Sequence, residues 1–237
     1  LVALLRRVER SEAVAALVLR VNSPGGSPVQ SNFVFNEIQR LRAEYPDKKL
    51  YAAITDMGAS GAYYIAAAAD QIYADPASIV GSIGVISVRP VLEQLLERAG
   101  IGVNVTKSGE FKDMGALWRE ATPEEQQKMQ DLIDGTYSNF LAIVAQARGM
   151  DQDAVRELAT GEVYLAERAL ELGLVDELGD LDRAIDLAAE LSGAPRNPVF
   201  LRPRRGLRER LFGPMAESVV VRQGHPGPLM PSPFSFQ

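Results

Sequence analysis

The chain has no cysteine and one histidine in 237 residues, and that histidine, His225, lies in a proline-rich stretch near the C-terminus. The first absence excludes disulfides, zinc–thiolate sites and cysteine nucleophiles. The second removes a histidine-based catalytic triad, or a histidine-rich metal site, from the body of the fold. Lysine is also scarce, occurring only at positions 48, 49, 107, 112 and 128. No run of about 18 apolar residues occurs, so nothing in this sequence reads as a membrane-spanning helix. Positive charge is not in excess either. The net charge of −6 argues against a general nucleic-acid binder.

What remains is the ordinary composition of a soluble globular protein, 46% hydrophobic and 24% charged. The opening, LVALLRRVERSEAVAALVLRVN, has no initiator Met and reads as a helix running into a strand. The chain is therefore expected to be a fragment whose N-terminal part, with a membrane anchor, is missing. Strands are expected at 17–21, 50–56, 71–76, 81–88 and 102–107. Helical spacing marks 29–45, the alanine-rich AYYIAAAA after Gly61, and 91–99 closed by Gly100. Strands alternating with helices imply parallel, right-handed βαβ units. The second half reads as mostly helical. A long helix opens at Thr122 with Pro123 in its first turn, and shorter helices follow near 151–159, 166–172 and 180–192. One folded unit over 1–194 is followed by a Pro/Arg-rich tail over 195–237. That tail holds eight of the 14 prolines and no lysine, and is expected to be extended or disordered. Its arginines could meet anionic lipid or an acidic partner, or simply be solvated.

Three local features carry chemistry. Ser60, in DMGASGAYYIAAAAD, stands at a helix start. There a serine either caps orphan backbone N–H groups or serves as a nucleophile whose developing charge faces converging N–H groups. NSPGG (22–26) is either a tight turn or half of an oxyanion hole. With histidine excluded, the practical base for a serine is lysine. Lys48 and Lys49 fall in a charged loop and Lys128 on a polar helix face, which leaves Lys107 and Lys112 in TKSGEFKDMG. A free lysine titrates near ~10.4, and bringing one close to neutrality costs about 4 kcal/mol. Desolvation in an apolar pocket supplies shifts of that size, and Phe111, Met114, Leu117 and Trp118 are nearby to build such a pocket. Asp113 would oppose the shift and is expected to point away.

VLRVNSPGG, GASGAYYIAAAADQIYADP, GSIGVI, TKSGEFKDMG, RGM and GLVDELGDLDRAI occur in this order. Together, from about Ala16 to Ala188, they resemble the signal peptide peptidase A family of serine proteases. The resemblance implies a ClpP/crotonase-like fold of stacked parallel βα units with a helical C-terminal arm. It makes residues 1–194 an N-terminally incomplete protease domain. It assigns Ser60 as nucleophile and Lys112, 52 positions on, as general base, with Lys107 structural. Gly26 becomes an oxyanion donor, with the N–H of Gly61 as the natural second donor, and Ser82 holds the lysine in orientation. No metal or cofactor is implied. The implied partners are peptide substrates, namely remnant signal peptides, and further copies of the chain in a ring whose serine and lysine come from neighbouring subunits. The implied location is the extracytoplasmic face of the cytoplasmic membrane, through the missing anchor. Rival expectations are a related Ser–Lys protease acting on stomatin-like membrane proteins or phage capsid proteins, a crotonase-type acyl-CoA enzyme, and a non-catalytic scaffold.

Overall fold

Apolar side chains fill both alternating sets of positions on the two central strands, β1 (Val14–Ser23) and β2 (Lys49–Ala59). Leu17, Leu19 and Val21 of β1, with Leu50, Ala52 and Ile54 of β2, are buried on one side of the sheet. Ala16, Val18, Tyr51 and Ala53 are buried on the other. Strands apolar on both faces belong to a parallel sheet covered on both sides, and β1 and β2 do pair in parallel. The computed structural model describes residues 1–201 and the backbone of 217–222.

α1 (Val2–Glu9) leads into β1, and α2 (Pro28–Glu44) crosses from β1 to β2. α3 (Gly61–Ala66) then leads to β3 (Gln71–Ala74), and β4 (Ile79–Gly81) follows. β2 is long enough to fork. Its first half pairs in parallel with β3 and its last residues pair in parallel with β4. The α/β class with a parallel core thus follows from central strands that are apolar on both faces and joined by a crossing helix.

After α4 (Glu93–Arg98), α5 (Pro123–Arg148) runs for 26 residues. It opens with a reciprocal capping box between Thr122 and Glu125 and closes on left-handed Gly149. Its C-terminal half sends Phe140, Leu141, Val144 and Ala145 into the core, while of its earlier residues only Glu125 is buried. α6 (Gln152–Leu158), β5 (Val163–Leu165), α7 (Ala166–Glu171) and β6 (Glu177–Leu178) follow. α8 (Leu181–Ser192) then lays Ala184, Ile185, Ala188 and Ala189 over Val18, Tyr51 and Tyr73.

Two sequence expectations are corrected. Residues 81–88 are not a strand. Only 79–81 pair with β2, because φ turns positive at Gly81 and Ser82 and carries the chain out of the ladder. Residues 102–107 alternate like a strand but form none and are exposed, pairing with no strand among the described residues. The tail is not uniformly irregular. β7 (Pro198–Leu201) and β8 (Glu217–Arg222) form strands, β8 running antiparallel to β1 and β7 antiparallel to β8. A run of three β-branched valines (219–221) favours that state. Residues 202–216 and 223–237, His225 included, lie outside the described residues.

α1 and α2 are clamped by charge. Glu37 is buried and accepts hydrogen bonds from Arg6 Nε at 2.8 Å and Arg40 Nη2 at 3.0 Å, and Arg40 also binds Glu9. The bonds from Arg6, then Arg40, hold the Glu37 carboxyl down at about 2 against an ordinary value of 4.5. A carboxyl lowered on folding adds stability that is complete above its unfolded pKa and is lost as pH falls towards the folded one. The melting temperature is therefore expected to drop as pH falls from 5 towards 2. Glu37→Gln should melt lower at pH 7 and show a shallower acid slope in a thermal scan. An unchanged slope in the variant would assign the acid sensitivity elsewhere.

Candidate active site

The nucleophile candidate sits where β2 gives way to α3. Ser60 has φ 52° and ψ −123°, a backbone conformation that crowds Cβ and is rare outside glycine. It occupies the helix N-cap position, yet its side chain makes no capping bond. The capping reading of Ser60 is therefore set aside, and its side chain lines the cleft described below. The turn is pinned by the Ser60 N–H, which donates to the Gly81 carbonyl at 2.8 Å. α3 itself is anchored on both sides. Buried Tyr63 donates its hydroxyl to the Leu174 carbonyl at 2.7 Å, and burial pushes that phenol well above its ordinary range. Tyr64 donates to Asn32 Oδ1 of α2 at 2.9 Å and accepts from Asn139 Nδ2 of α5 at 3.2 Å.

The NSPGG turn packs directly beneath this element. The Ser23 hydroxyl donates to the Gly25 carbonyl, and the Gly25 N–H donates back to Ser23 Oγ at 3.2 Å. Gly25 has φ +111°, and a Cβ there would meet Gly61 N and Ser60 Cβ, each at 2.9 Å. Only glycine lets the two turns approach so closely. A Cβ on Gly61 would fall 2.4 Å from Ser31 Oγ and 3.2 Å from Gly26 N. Gly26 has nothing within 4 Å of its own Cβ position, so a side chain there would project into open space. The backbone N–H groups of Gly26 and Gly61 have no hydrogen-bond partner among the described residues.

The third wall comes from the chain after β4. Ser82, at φ +50°, donates its N–H to the Glu162 carbonyl at 2.7 Å, and the Gly161 N–H donates to the Ile83 carbonyl at 3.1 Å. Gly26, Ser60, Gly61 and Ser82 thus border one cleft of about 650 Å³, whose apolar lining includes Tyr64, Ile86, Ile133, Tyr137 and Phe140. Two glycine N–H groups beside a serine hydroxyl form a geometry suited to stabilising a tetrahedral oxyanion.

Lys112 is not part of this cleft. It lies exposed on a 3₁₀ turn (Glu110–Asp113). Its neighbour Lys107 ties the same turn, donating to Asp113 Oδ1 at 2.6 Å and to the Glu110 carbonyl at 2.7 Å. Asp113 is further bound by Arg119 Nε at 3.1 Å. The bonds from Arg119, then Lys107, hold its carboxyl well below the usual range. Arg119 also forks onto Glu125 at the start of α5, and that pairing lowers the Glu125 carboxyl to about 2. The apolar residues expected to wall off Lys112 do not enclose it within one chain. Leu117 and Trp118 are exposed, and the Phe111 ring faces the Lys128 ammonium at 4.5 Å.

The sequence reading did not single out Ser31, Tyr64, Asn139 or the 159–161 loop at this cleft. Asn139 and the 159–161 loop arrive from distant segments through packing, while Ser31 and Tyr64 lie close in sequence to Gly26 and Ser60 but on helices whose facing only the fold decides.

The sequence of residues 42–194, which carries Ser60, Gly61, Ser82 and Lys112, matches the model of Peptidase family S49. The chain belongs to this family. It is 40% identical over 78% of its length to a putative protease of the cyanobacterium Synechocystis, slr0021, and covers 66% of that protein. It is 37% identical over 77% of its length to the putative signal peptide peptidase SppA of Enterococcus faecium, covering 52% of it. Protease 4 of Salmonella typhi is also 37% identical, over 76% of this chain and 28% of that protein. The chain thus spans between about a quarter and two thirds of the length of these relatives. Among the described residues, no helix is long and apolar enough to cross a membrane.

Proposed function

We propose that this chain is a serine endopeptidase with a Ser–Lys dyad, built on a ClpP/crotonase-like fold and acting on remnant signal peptides. The observation that carries the reading is the uncapped Ser60 beside the free N–H groups of Gly26 and Gly61. Lys112 is exposed and outside the cleft of its own chain, which favours a ring in which it serves Ser60 of a neighbouring subunit. The apolar residues left uncovered along the same stretch, including Ile86, Val88, Leu95, Ile101 and Val103, suit burial at such a contact. That contact would also strip water from the lysine.

The free amine of Lys112 takes the Ser60 hydroxyl proton as Oγ bonds to the scissile carbonyl carbon. The carbonyl electron pair moves onto oxygen, which the Gly26 and Gly61 N–H groups hold. Collapse breaks the C–N bond, and the lysine ammonium protonates the departing amine. Water then attacks the acyl-enzyme, losing a proton to the regenerated Lys112 amine, and collapse breaks the acyl C–O bond as the lysine ammonium returns that proton to Ser60 Oγ. Ser82 orients the lysine by hydrogen bonding. The apolar cleft suits the small and apolar side chains of leader peptides, and an anchor in the remainder of the protein would hold the ring at the extracytoplasmic membrane face.

The test is cleavage of a fluorogenic leader-like peptide by the purified protein, with the assembly state followed by light scattering. Turnover that tracks the assembled fraction is the expected result. An assembled protein that leaves the peptide intact would overturn the reading.

A further inference from the structure

The side chain of Ser31 is unaccounted for by this mechanism. It lies in the first turns of α2, is only 5% exposed, and lines the same cleft as Ser60. Its Oγ lies against Gly61, 2.4 Å from where a Cβ would stand, and the Gly26 nitrogen flanks that same point at 3.2 Å. Its backbone N–H is used inside α2, donating to the Ser27 carbonyl at 3.0 Å. No described residue hydrogen-bonds its hydroxyl. Serines inside helices often bond the carbonyl four residues back. Ser31 does not, and its Oγ opens onto the cleft beside both oxyanion donors.

We infer that the Ser31 hydroxyl is a third donor to the oxyanion, acting with the N–H groups of Gly26 and Gly61. This rests on the proposed role of Ser60. In the free protein the hydroxyl faces the open cleft without a partner among the described residues. When Ser60 adds to the carbonyl, the oxygen that gains charge becomes its acceptor. The bond to protein-held charge is thus made in the transition state rather than before it, the condition under which an interaction raises kcat instead of only tightening binding. The same placement gives the fixed contact between Ser31 and Gly61 a function beyond packing.

The experiment compares assembled wild type, Ser31→Ala, Ser31→Cys and Ser60→Ala on the leader-like peptide. It adds inhibition by a peptide aldehyde, which forms a tetrahedral adduct on the serine, and by the matching peptide alcohol, which does not. Ser31→Ala is expected to lower kcat by about 10–100-fold with KM within about twofold. Aldehyde affinity should fall by a similar factor while alcohol affinity holds. Ser31→Cys, close in size but a weaker donor, should lose part of that rate, and it carries the test should the alanine variant fail to fold. Wild-type kcat in a folded Ser31→Ala or Ser31→Cys protein overturns the inference. So does a loss shared equally by aldehyde and alcohol, which would mark a packing role. A Ser60→Ala protein that still cleaves overturns the dyad reading and this inference with it. An inactive Ser60→Ala protein beside a fully active Ser31→Ala protein removes only the inference.

Discussion

Ser60→Ala is expected to lower peptide turnover by about 10⁴-fold or more, as removal of a serine nucleophile does elsewhere. The effect should be confined to chemistry. Ser60 makes no side-chain capping bond, so α3 loses no cap, and the turn is held by the backbone bond from Ser60 to Gly81, which alanine keeps. The melting temperature and the assembly seen by light scattering should therefore match wild type. KM for the peptide should also hold, because the cleft walls from α3, α5 and the 159–161 loop are untouched. A variant that keeps more than a few per cent of wild-type kcat would mean that the cleft performs another reaction, or that another group attacks.

The second large effect concerns Lys112. Lys112→Ala alone should be as inactive as Ser60→Ala, whereas Lys107→Ala should mainly loosen the 3₁₀ turn that Lys107 ties to Asp113. The sharper measurement mixes the two inactive proteins under conditions that let subunits exchange. If each site takes its serine from one subunit and its lysine from the next, a random equal mixture restores intact pairs at about a quarter of the contacts of a cyclic assembly. If both groups come from one chain, mixing restores nothing. The exposed position of Lys112, outside the cleft that holds Ser60, makes restoration the expected result. A mixture that stays inactive while exchange is demonstrated, for instance by fluorescence transfer between labelled subunits, would exclude the shared site.

The parallel core was legible because its causes are local. The apolar runs of β1 and β2, the Thr122–Glu125 cap of α5 and the glycine that ends it are each written within a few residues. The cluster of Gly26, Ser60, Gly61 and Ser82 was legible through the order of its motifs, since each lies at or just beyond the end of a strand in the parallel core. Alternation misled at 102–107, because a strand is a property of two chains of backbone and periodicity reports only one. At 81–88 it missed that Ser82 takes a positive φ. In the tail, composition indicated extended or disordered chain without locating β8, whose valine run stands among prolines and arginines. Ser31 was illegible for a different reason. Its five-residue separation from Gly26 says nothing until α2 sets its hydroxyl against Gly61.

Among the described residues, Ser60 and Ser82 are the two non-glycine positions with positive φ, and both border the cleft. Such conformations cost of order 1–3 kcal/mol each, and glycine at either site would relieve the crowding. Selection for heat resistance alone would therefore favour Ser60→Gly, which removes the nucleophile proposed above. On that reading, selection for turnover is what keeps a serine there. In a directed-evolution experiment on this chain, thermal tolerance and activity would pull residue 60 in opposite directions, so screens that score survival without cleavage would enrich dead variants first.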